Sequence, residues 1–284
     1  MVAKLLDGKA LATKHKELII GRVDTLKENG ITPNLAIVMV GGDPASKVYV
    51  NNKINFCSDV GAKATLHSLD TKVSSQEVID TIYKLNQEES VHGIILQMPL
   101  PKGLNFEEMV SRIDPKKDVD GLHPLNLGLV AINAGAFIPA TAKGVLALLD
   151  EYKIDVTGKT VVIVGHGIVS GMPLNLLLNH KKATVIICQN ETKNLKEYTL
   201  QADILISAVG KPGLITSNMV KEGAAVIDIG ISKKGSEFVG DVEKEVETVA
   251  KYITPVPGGV GPLTVSSLVD NLVIATEYFS AAYE

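Results

Sequence analysis

Three features of the 284-residue chain predict an α/β protein made of two α/β domains with a cleft between them. Short β-branched runs alternate with amphipathic stretches along nearly the whole length, the pattern of parallel strands joined by right-handed helical crossovers. The runs are almost wholly apolar, as in Val161-Val162-Ile163-Val164, which suits a sheet covered on both faces. Near residue 140 the pattern restarts, with a helical stretch, a strand and a glycine-rich turn. Hydrophobic residues make up 45% and charged residues 21%, enough apolar material for two cores.

Strands are expected at residues 35–40, 64–69, 93–97, 160–164, 184–188, 204–207 and 225–229. Helical periodicity falls at about 9–28, 46–59, 75–87, 143–151, 171–180 and 243–250. Gly30 and Gly61 stand where a left-handed residue would end a helix. A final helix, 263 to about 282, carries Leu268, Leu272, Ala275 and Phe279 along one stripe and is expected to fold back on the first block. The domains are therefore read as 1–140 plus 263–284, and 141–262. The cleft between them is the default place for a ligand.

Composition excludes several partners. A net charge of -4 with no clustered Lys and Arg argues against nucleic acid. A long stretch free of Lys and Arg, 119–142, is interrupted by Asp120, Pro124 and Pro139 and cannot span a membrane. Cys57 and Cys188 match neither a disulfide nor a metal spacing, so a reducing compartment is expected. The N-terminus lacks the apolar stretch of a signal peptide, and the protein is expected in the cytoplasm.

The run from Val161 to Pro173 reads strand, tight turn, helix start. Gly165 and Gly167 let the main chain turn and approach a pyrophosphate, with Val169 following and helix amides facing the anion. A second strand at 184–188 completes the setting of a Rossmann-type doubly wound parallel sheet. Its tip, Gln189-Asn190, carries no carboxylate for a ribose 2′-hydroxyl, which favours NADP over NAD. Small-residue turns at Ala208-Val209-Gly210 and Gly230-Ile231 end later strands where a nicotinamide ribose would lie. The plain alternative is a strand-helix turn without a ligand.

Chemistry-bearing residues concentrate in the first block. Tyr49 and Lys53, four apart in a helical stretch, share one face. On their own they read as a solvated lysine beside a half-buried tyrosine. Gln97 ends an apolar strand before Met98-Pro99-Leu100-Pro101; it orients a neighbour but transfers no proton at neutral pH. In Lys117-Asp118-Val119-Asp120-Gly121, Asp118 reads as a turn cap and Asp120 as an acceptor for a donor-rich heterocycle. Asp-x-Asp also suits a divalent cation, but no further ligand cluster accompanies it and no metal is expected. The run Thr254-Pro255-Val256-Pro257-Gly258-Gly259-Val260-Gly261-Pro262 is too rigid for helix or central strand, and suits main chain passing close to a flat ligand, or a stiff linker.

These stretches, taken in order, resemble the bifunctional methylenetetrahydrofolate dehydrogenase/methenyltetrahydrofolate cyclohydrolase family over essentially the whole chain. The likeness rests on Asp43-Pro44-Ala45-Ser46, Tyr49-x-x-x-Lys53, Gln97 with Pro99-Leu100-Pro101, residues 117–121, Gly158-Lys159 and residues 254–262. It implies NADP-dependent oxidation of 5,10-methylenetetrahydrofolate, then hydrolysis of the methenyl product to 10-formyltetrahydrofolate. It also implies that Tyr49 stacks on the aminobenzoate ring, Asp120 holds the pterin, and Lys53, held by Gln97, serves the hydrolysis. Pro99, Leu100, Pro257, Gly258, Gly259 and Pro262 would line the folate. Thr141, Gly165, His166, Gly167, Val169, Gln189, Asn190, Ala208, Gly210, Ile231 and Thr264 would line the cofactor. A homodimer formed through the nucleotide domain is implied too.

Two departures bear on the cofactor. The family's usual Gly-Arg-Ser is Gly165-His166-Gly167 here, and its Pro-Cys-Thr-Pro is Pro139-Ala140-Thr141-Ala142. A partly protonated His166 could still pair with a 2′-phosphate in place of the arginine. Beside the two-step enzyme stand two other readings: a cyclohydrolase with a weak or NAD-linked dehydrogenase, and a non-catalytic Rossmann protein that senses a dinucleotide.

Overall fold

The expected strands pair in parallel and form two separate sheets. The computed structural model describes residues 2–134, 137–235 and 237–281. In chain order the elements begin β1 (Lys4–Leu5), α1 (Gly8–Glu28), β2 (Asn34–Val40), α2 (Pro44–Asp59), β3 (Lys63–Leu69), α3 (Ser75–Gln87) and β4 (Gly93–Leu96). Next come α4 (Phe106–Val110), α5 (Pro124–Ala131), α6 (Ala140–Glu151), β5 (Thr160–Val164), α7 (Gly171–His180) and β6 (Thr184–Cys188). The rest are α8 (Leu195–Thr199), β7 (Ile204–Ser207), β8 (Ala225–Asp228), β9 (Ser232–Lys234), β10 (Glu237–Val239), β11 (Tyr252–Ile253) and α9 (Val260–Ala281).

Internal contacts divide the chain into a first unit, Lys14–Ala140 with Val265–Glu284, and a second, Met1–Thr13 with Thr141–Thr264. The opening residues, expected with the first domain, cluster instead with the second unit, because β1 adds to β11 in parallel, Lys4 opposite Tyr252. A strand of two residues leaves no periodicity to read in the sequence.

In the first unit β2 lies between β3 and β4, parallel to both. Leu35, Ile37 and Met39 of β2 pack with Ile95 and with Leu268, Leu272 and Ala275 of α9, so the expected stripe faces this core. Phe279 is only half-buried, and Ala282, where the helix was expected to end, lies outside the described residues. Gly30 and Gly61 both take φ of 78°, and behind Gly61 the Ala62 amide donates back to Cys57 O at 2.8 Å, the closure of a left-handed helix end.

In the second unit the strand order is β1-β11-β8-β7-β5-β6, parallel throughout. Val162, Val164, Leu205 and Val226 are buried in its core. Strand β6 lies on one side of β5 and β7 on the other. The winding therefore reverses at β5, which opens a crevice beyond the carboxyl ends of β5 and β7.

Two expectations shift. Helix α9 starts at Val260, so Pro262 lies in its first turn, where the missing N–H costs no helical hydrogen bond. The stretch 243–250 holds only a short 3-10 helix, Lys244–Thr248, whose single buried side chain is Val246. No helix among the described residues is long and apolar enough to cross a membrane.

Candidate active site

Helix α2 begins at Pro44, its cap Asp43 accepting from the Ser46 amide at 2.7 Å and the Ser46 hydroxyl at 2.9 Å. That start sets the register that places Tyr49, Lys53 and Cys57 in successive turns of one face. Strand β4 ends at Leu96 and delivers Gln97, 8% exposed, to the same place. Lys53 Nζ donates to Gln97 Oε1 at 2.8 Å, and Gln97 Nε2 donates to the Met98 carbonyl at 2.6 Å. The amide is thus held with its oxygen towards the lysine.

Asp120 completes the group. As whole residues Lys53 and Asp120 are half-buried, yet burial acts strongly on both charges. It pushes the Lys53 pKa below the ordinary lysine value, against the opposing pull of Asp120 and of Cys57. It pushes the Asp120 carboxyl above the ordinary aspartate value; Lys53 opposes this and Asp118 adds to it. Cys57 is raised to about 12, chiefly by burial, and stays a thiol. The Tyr49 hydroxyl is buried without a protein partner, a polar atom left for a ligand to satisfy.

Asp118 serves as the expected turn cap: its Oδ2 accepts from the His123 amide and from Asn126 Nδ2, both at 2.8 Å. The backbone of Asp120 is fixed by a residue absent from the expected site. Buried Asn271 of α9 donates to Val119 O and Ile138 O, each at 2.9 Å, and the Ala140 amide donates to Asp120 O at 3.2 Å. Pro99 is exposed beyond a cis Met98–Pro99 bond, and Leu100 is half-buried. Among the described residues, no group of three or more His, Cys, Asp and Glu side chains could hold a metal ion.

The second unit carries the nucleotide turn. Gly165 takes φ of 101° at the end of β5, and a Cβ there would meet Ala208 O at 2.4 Å. Gly171, not among the expected site residues, is as constrained: its Cβ would meet Gly165 O at 2.0 Å where α7 starts. Gly167 lacks positive φ, and nothing lies within 4 Å of a Cβ built on it, so its bare backbone is open to approach; its carbonyl accepts from the Ser170 amide at 3.3 Å and so begins a turn. Ser170 gives α7 no side-chain cap; the Met172 amide donates instead to Gly167 O at 3.0 Å, and Pro173 has no N–H. A bare turn with an open approach fits a dinucleotide pyrophosphate.

His166, Gln189 and Asn190 are exposed around this turn, and Val169 is half-buried. Beyond β7 and β8, Val209 and Ile231 expose apolar side chains, 38% and 40% accessible. Ala208 and Gly210 flank Val209, the latter with φ of 75°. Thr141 is brought to Thr264, oxygen to oxygen at 3.4 Å. Pro257 is exposed after a cis Val256–Pro257 bond, Gly258 takes φ of 110°, and a Cβ on Gly259 would meet Pro255 O at 2.6 Å.

Comparison with known proteins agrees with both units. Residues 6–120 match the catalytic domain of tetrahydrofolate dehydrogenase/cyclohydrolase, and residues 139–280 match the NAD(P)-binding domain of the same family. A curated relative from Halalkalibacterium halodurans, "Bifunctional protein FolD", is 45% identical and covers 98% of this chain and 100% of its own. The crystal structure of the bifunctional FolD enzyme of Campylobacter jejuni is 42% identical, covers 97% of this chain and 99% of its own, and superposes with a TM-score of 0.94. The Trypanosoma brucei dehydrogenase-cyclohydrolase, solved with NADP cofactor and inhibitor, is 34% identical over 98% of each chain, also at 0.94. This chain belongs to the tetrahydrofolate dehydrogenase/cyclohydrolase family.

Proposed function

We infer that this chain oxidises 5,10-methylenetetrahydrofolate with NADP and hydrolyses the resulting methenyl compound to 10-formyltetrahydrofolate, and that Lys53 is its hydrolytic group. The observation that carries the assignment is the Lys53–Gln97 hydrogen bond beside Asp120, where burial holds the amine below its ordinary pKa. A lysine whose ammonium form is weakened in this way gives up and regains its proton more readily than an ordinary one.

In the hydrolysis, water adds to the cationic bridge carbon while Lys53 takes a proton from it. As the ring carbon–nitrogen bond breaks, the ammonium returns a proton to the leaving nitrogen, and the net proton is released to solvent. Gln97 keeps the amine aimed, and its fixed amide supplies no competing proton. Asp120 accepts from the pterin N–H groups, and Tyr49 stacks on the aminobenzoate ring. Pro99 and Leu100 bound the same site, and Pro257, Gly258, Gly259 and Pro262 are further folate-lining residues.

When bound, NADP+ would supply the acceptor for a hydride from the methylene bridge. Gly165, His166, Gly167 and Val169 would hold its phosphates. Gln189 and Asn190 would hold the adenosine ribose, and Thr141, Ala208, Gly210, Ile231 and Thr264 the nicotinamide side. Hydride transfer needs mainly positioning, since the folate nitrogens stabilise the product cation themselves.

Purified protein should form the methenyl chromophore from methylenetetrahydrofolate with NADP+, and should speed its loss without nucleotide. No acceleration over buffer in the second assay would exclude the hydrolytic reading. We further propose a cytoplasmic homodimer formed through the second unit. Two buried free cysteines, Cys57 and Cys188, support a reducing compartment, and the edge strand β6 with half-buried Val185, Ile186 and Ile187 supports an interface there. Sedimentation at a single protomer mass would exclude the dimer.

A further inference from the structure

Two carboxylates in the second unit lie deeper than any group assigned above to the cofactor: Asp241 is 0% exposed and Asp228 is 3% exposed. Burial of charge at this depth is costly, and each must be held by donors. Asp241 Oδ2 accepts from the Ser207 hydroxyl at 2.8 Å and from the Val209 amide at 2.9 Å, while its Oδ1 accepts from the Lys211 amide at 2.7 Å. All three donors belong to the end of β7 and the turn that follows it. That turn borders the crevice at which the sheet reverses: the Ala208 amide donates to Val164 O at 2.8 Å, and Ala208 O is the atom that a Cβ on Gly165 would strike.

Asp228, at the end of β8, holds the segment that carries Asp241. Its Oδ1 accepts from the Asp241 amide at 3.1 Å and its Oδ2 from the Val242 amide at 2.9 Å. The packing leaves no slack. A Cβ on Gly230 would lie 2.1 Å from the Asp241 carboxyl, and one on Gly240 would lie 1.9 Å from Asp228 Oδ2. Meanwhile Val209 turns its side chain outward, 38% exposed, and Ile231 does the same one strand further along. The two carboxylates therefore lie behind a surface whose outer face is apolar and open.

We propose that Asp241 is a positioning residue for the nicotinamide nucleotide: its carboxylate sets the turn at residues 208–211, and Asp228 fixes Asp241 in turn. Asp241 touches neither substrate nor cofactor; it acts through the Val209 and Lys211 amides. An asparagine has one acceptor oxygen and would present an N–H pair to one of these donors, so the turn must move. The inference rests on the reading that the crevice beyond β5 and β7 takes NADP.

The test compares the parent with Asp241→Asn. NADP+ binding is measured by equilibrium titration without folate, and methenyltetrahydrofolate hydrolysis without nucleotide. The expected result is an NADP+ Kd raised about tenfold or more, since one misplaced donor costs about that much. Hydrolysis by the first unit should stay within about twofold of the parent. An NADP+ Kd within about twofold of the parent overturns the proposal. If Asp241→Asn loses hydrolysis as well and no longer melts cooperatively, Ser207→Ala decides, since it removes one donor and leaves the carboxylate in place. Weaker nucleotide binding with intact hydrolysis then supports the proposal, and unchanged binding overturns it. A parent that binds no NADP+ at all would remove the dinucleotide reading itself, a different outcome from a variant that binds as well as its parent.

Discussion

Lys53 and Gln97 are joined by a hydrogen bond whose direction is fixed, because the Gln97 Nε2 group is already committed to the Met98 carbonyl. Gln97 can offer Lys53 only an acceptor, and a neutral one. The amine is aimed without being locked into an ion pair. Replacing that oxygen by a carboxylate should stabilise the ammonium and raise the Lys53 pKa. Gln97→Glu is therefore expected to move the pH profile of hydrolysis upward by about one unit or more, leaving nucleotide binding unchanged. A profile that stays in place would mean that Lys53 does not titrate in the hydrolytic step.

Asp120 already acts on the same amine in the direction that a carboxylate at position 97 would. Its charge raises the Lys53 pKa, so Asp120→Asn should shift the hydrolysis profile downward, away from the direction of Gln97→Glu. Loss of a charged acceptor for the pterin should also raise the folate KM about tenfold in both activities. A KM change in one activity alone would remove Asp120 from the shared folate site.

At the nucleotide turn the exposed His166 stands where a guanidinium could fork onto a phosphate. His166→Arg is expected to increase the preference for NADP+ over NAD+ about tenfold, read as the ratio of kcat/KM values. An unchanged ratio would assign the 2′ position to another group, with Gln189 and Asn190 the nearest candidates along the chain.

Asp228 makes stability depend on pH. Burial, aided by the charge of Asp241, lifts its carboxyl to about 6 from 3.8, against the donors that hold it. A carboxyl raised on folding binds its proton more tightly in the folded state. Its contribution is full below about pH 4 and is lost as pH rises through about 6, a difference of roughly 3 kcal/mol at most. The Tm of the parent relative to Asp228→Asn should therefore rise as pH falls from about 7 to about 5. A difference that stays flat across this range would show that Asp228 carries its charge at no cost.

Much of the site was legible because it is local. The spacing of Tyr49 and Lys53 places both on one face once α2 is a helix, and the single polar residue after the apolar run of β4 marks Gln97 as the end of a buried strand. The turn at Gly165 was legible for the same reason, from strand, glycine and helix start in succession. What escaped acts across the chain. Asn271 reaches back 152 positions to Val119, and Asp241 reaches back 34 to Ser207; neither pairing has a periodicity or a motif to announce it. Strand β1 escaped because the strand it pairs with, β11, lies near the other end of the sequence. At Gly167 the bare backbone was legible, but not whether it serves a positive φ or an open approach, because both select glycine.

Whether Lys53 moves protons in the hydrolytic step is decided by Lys53→Met, with both activities followed on the same preparation. The predicted result is a loss of methenyl hydrolysis of about 10²–10⁴-fold, with NADP-linked oxidation of methylenetetrahydrofolate kept within about tenfold of the parent. Equal losses in the two activities would reduce Lys53 to a group that only helps to seat the folate and would rule out its part in proton transfer.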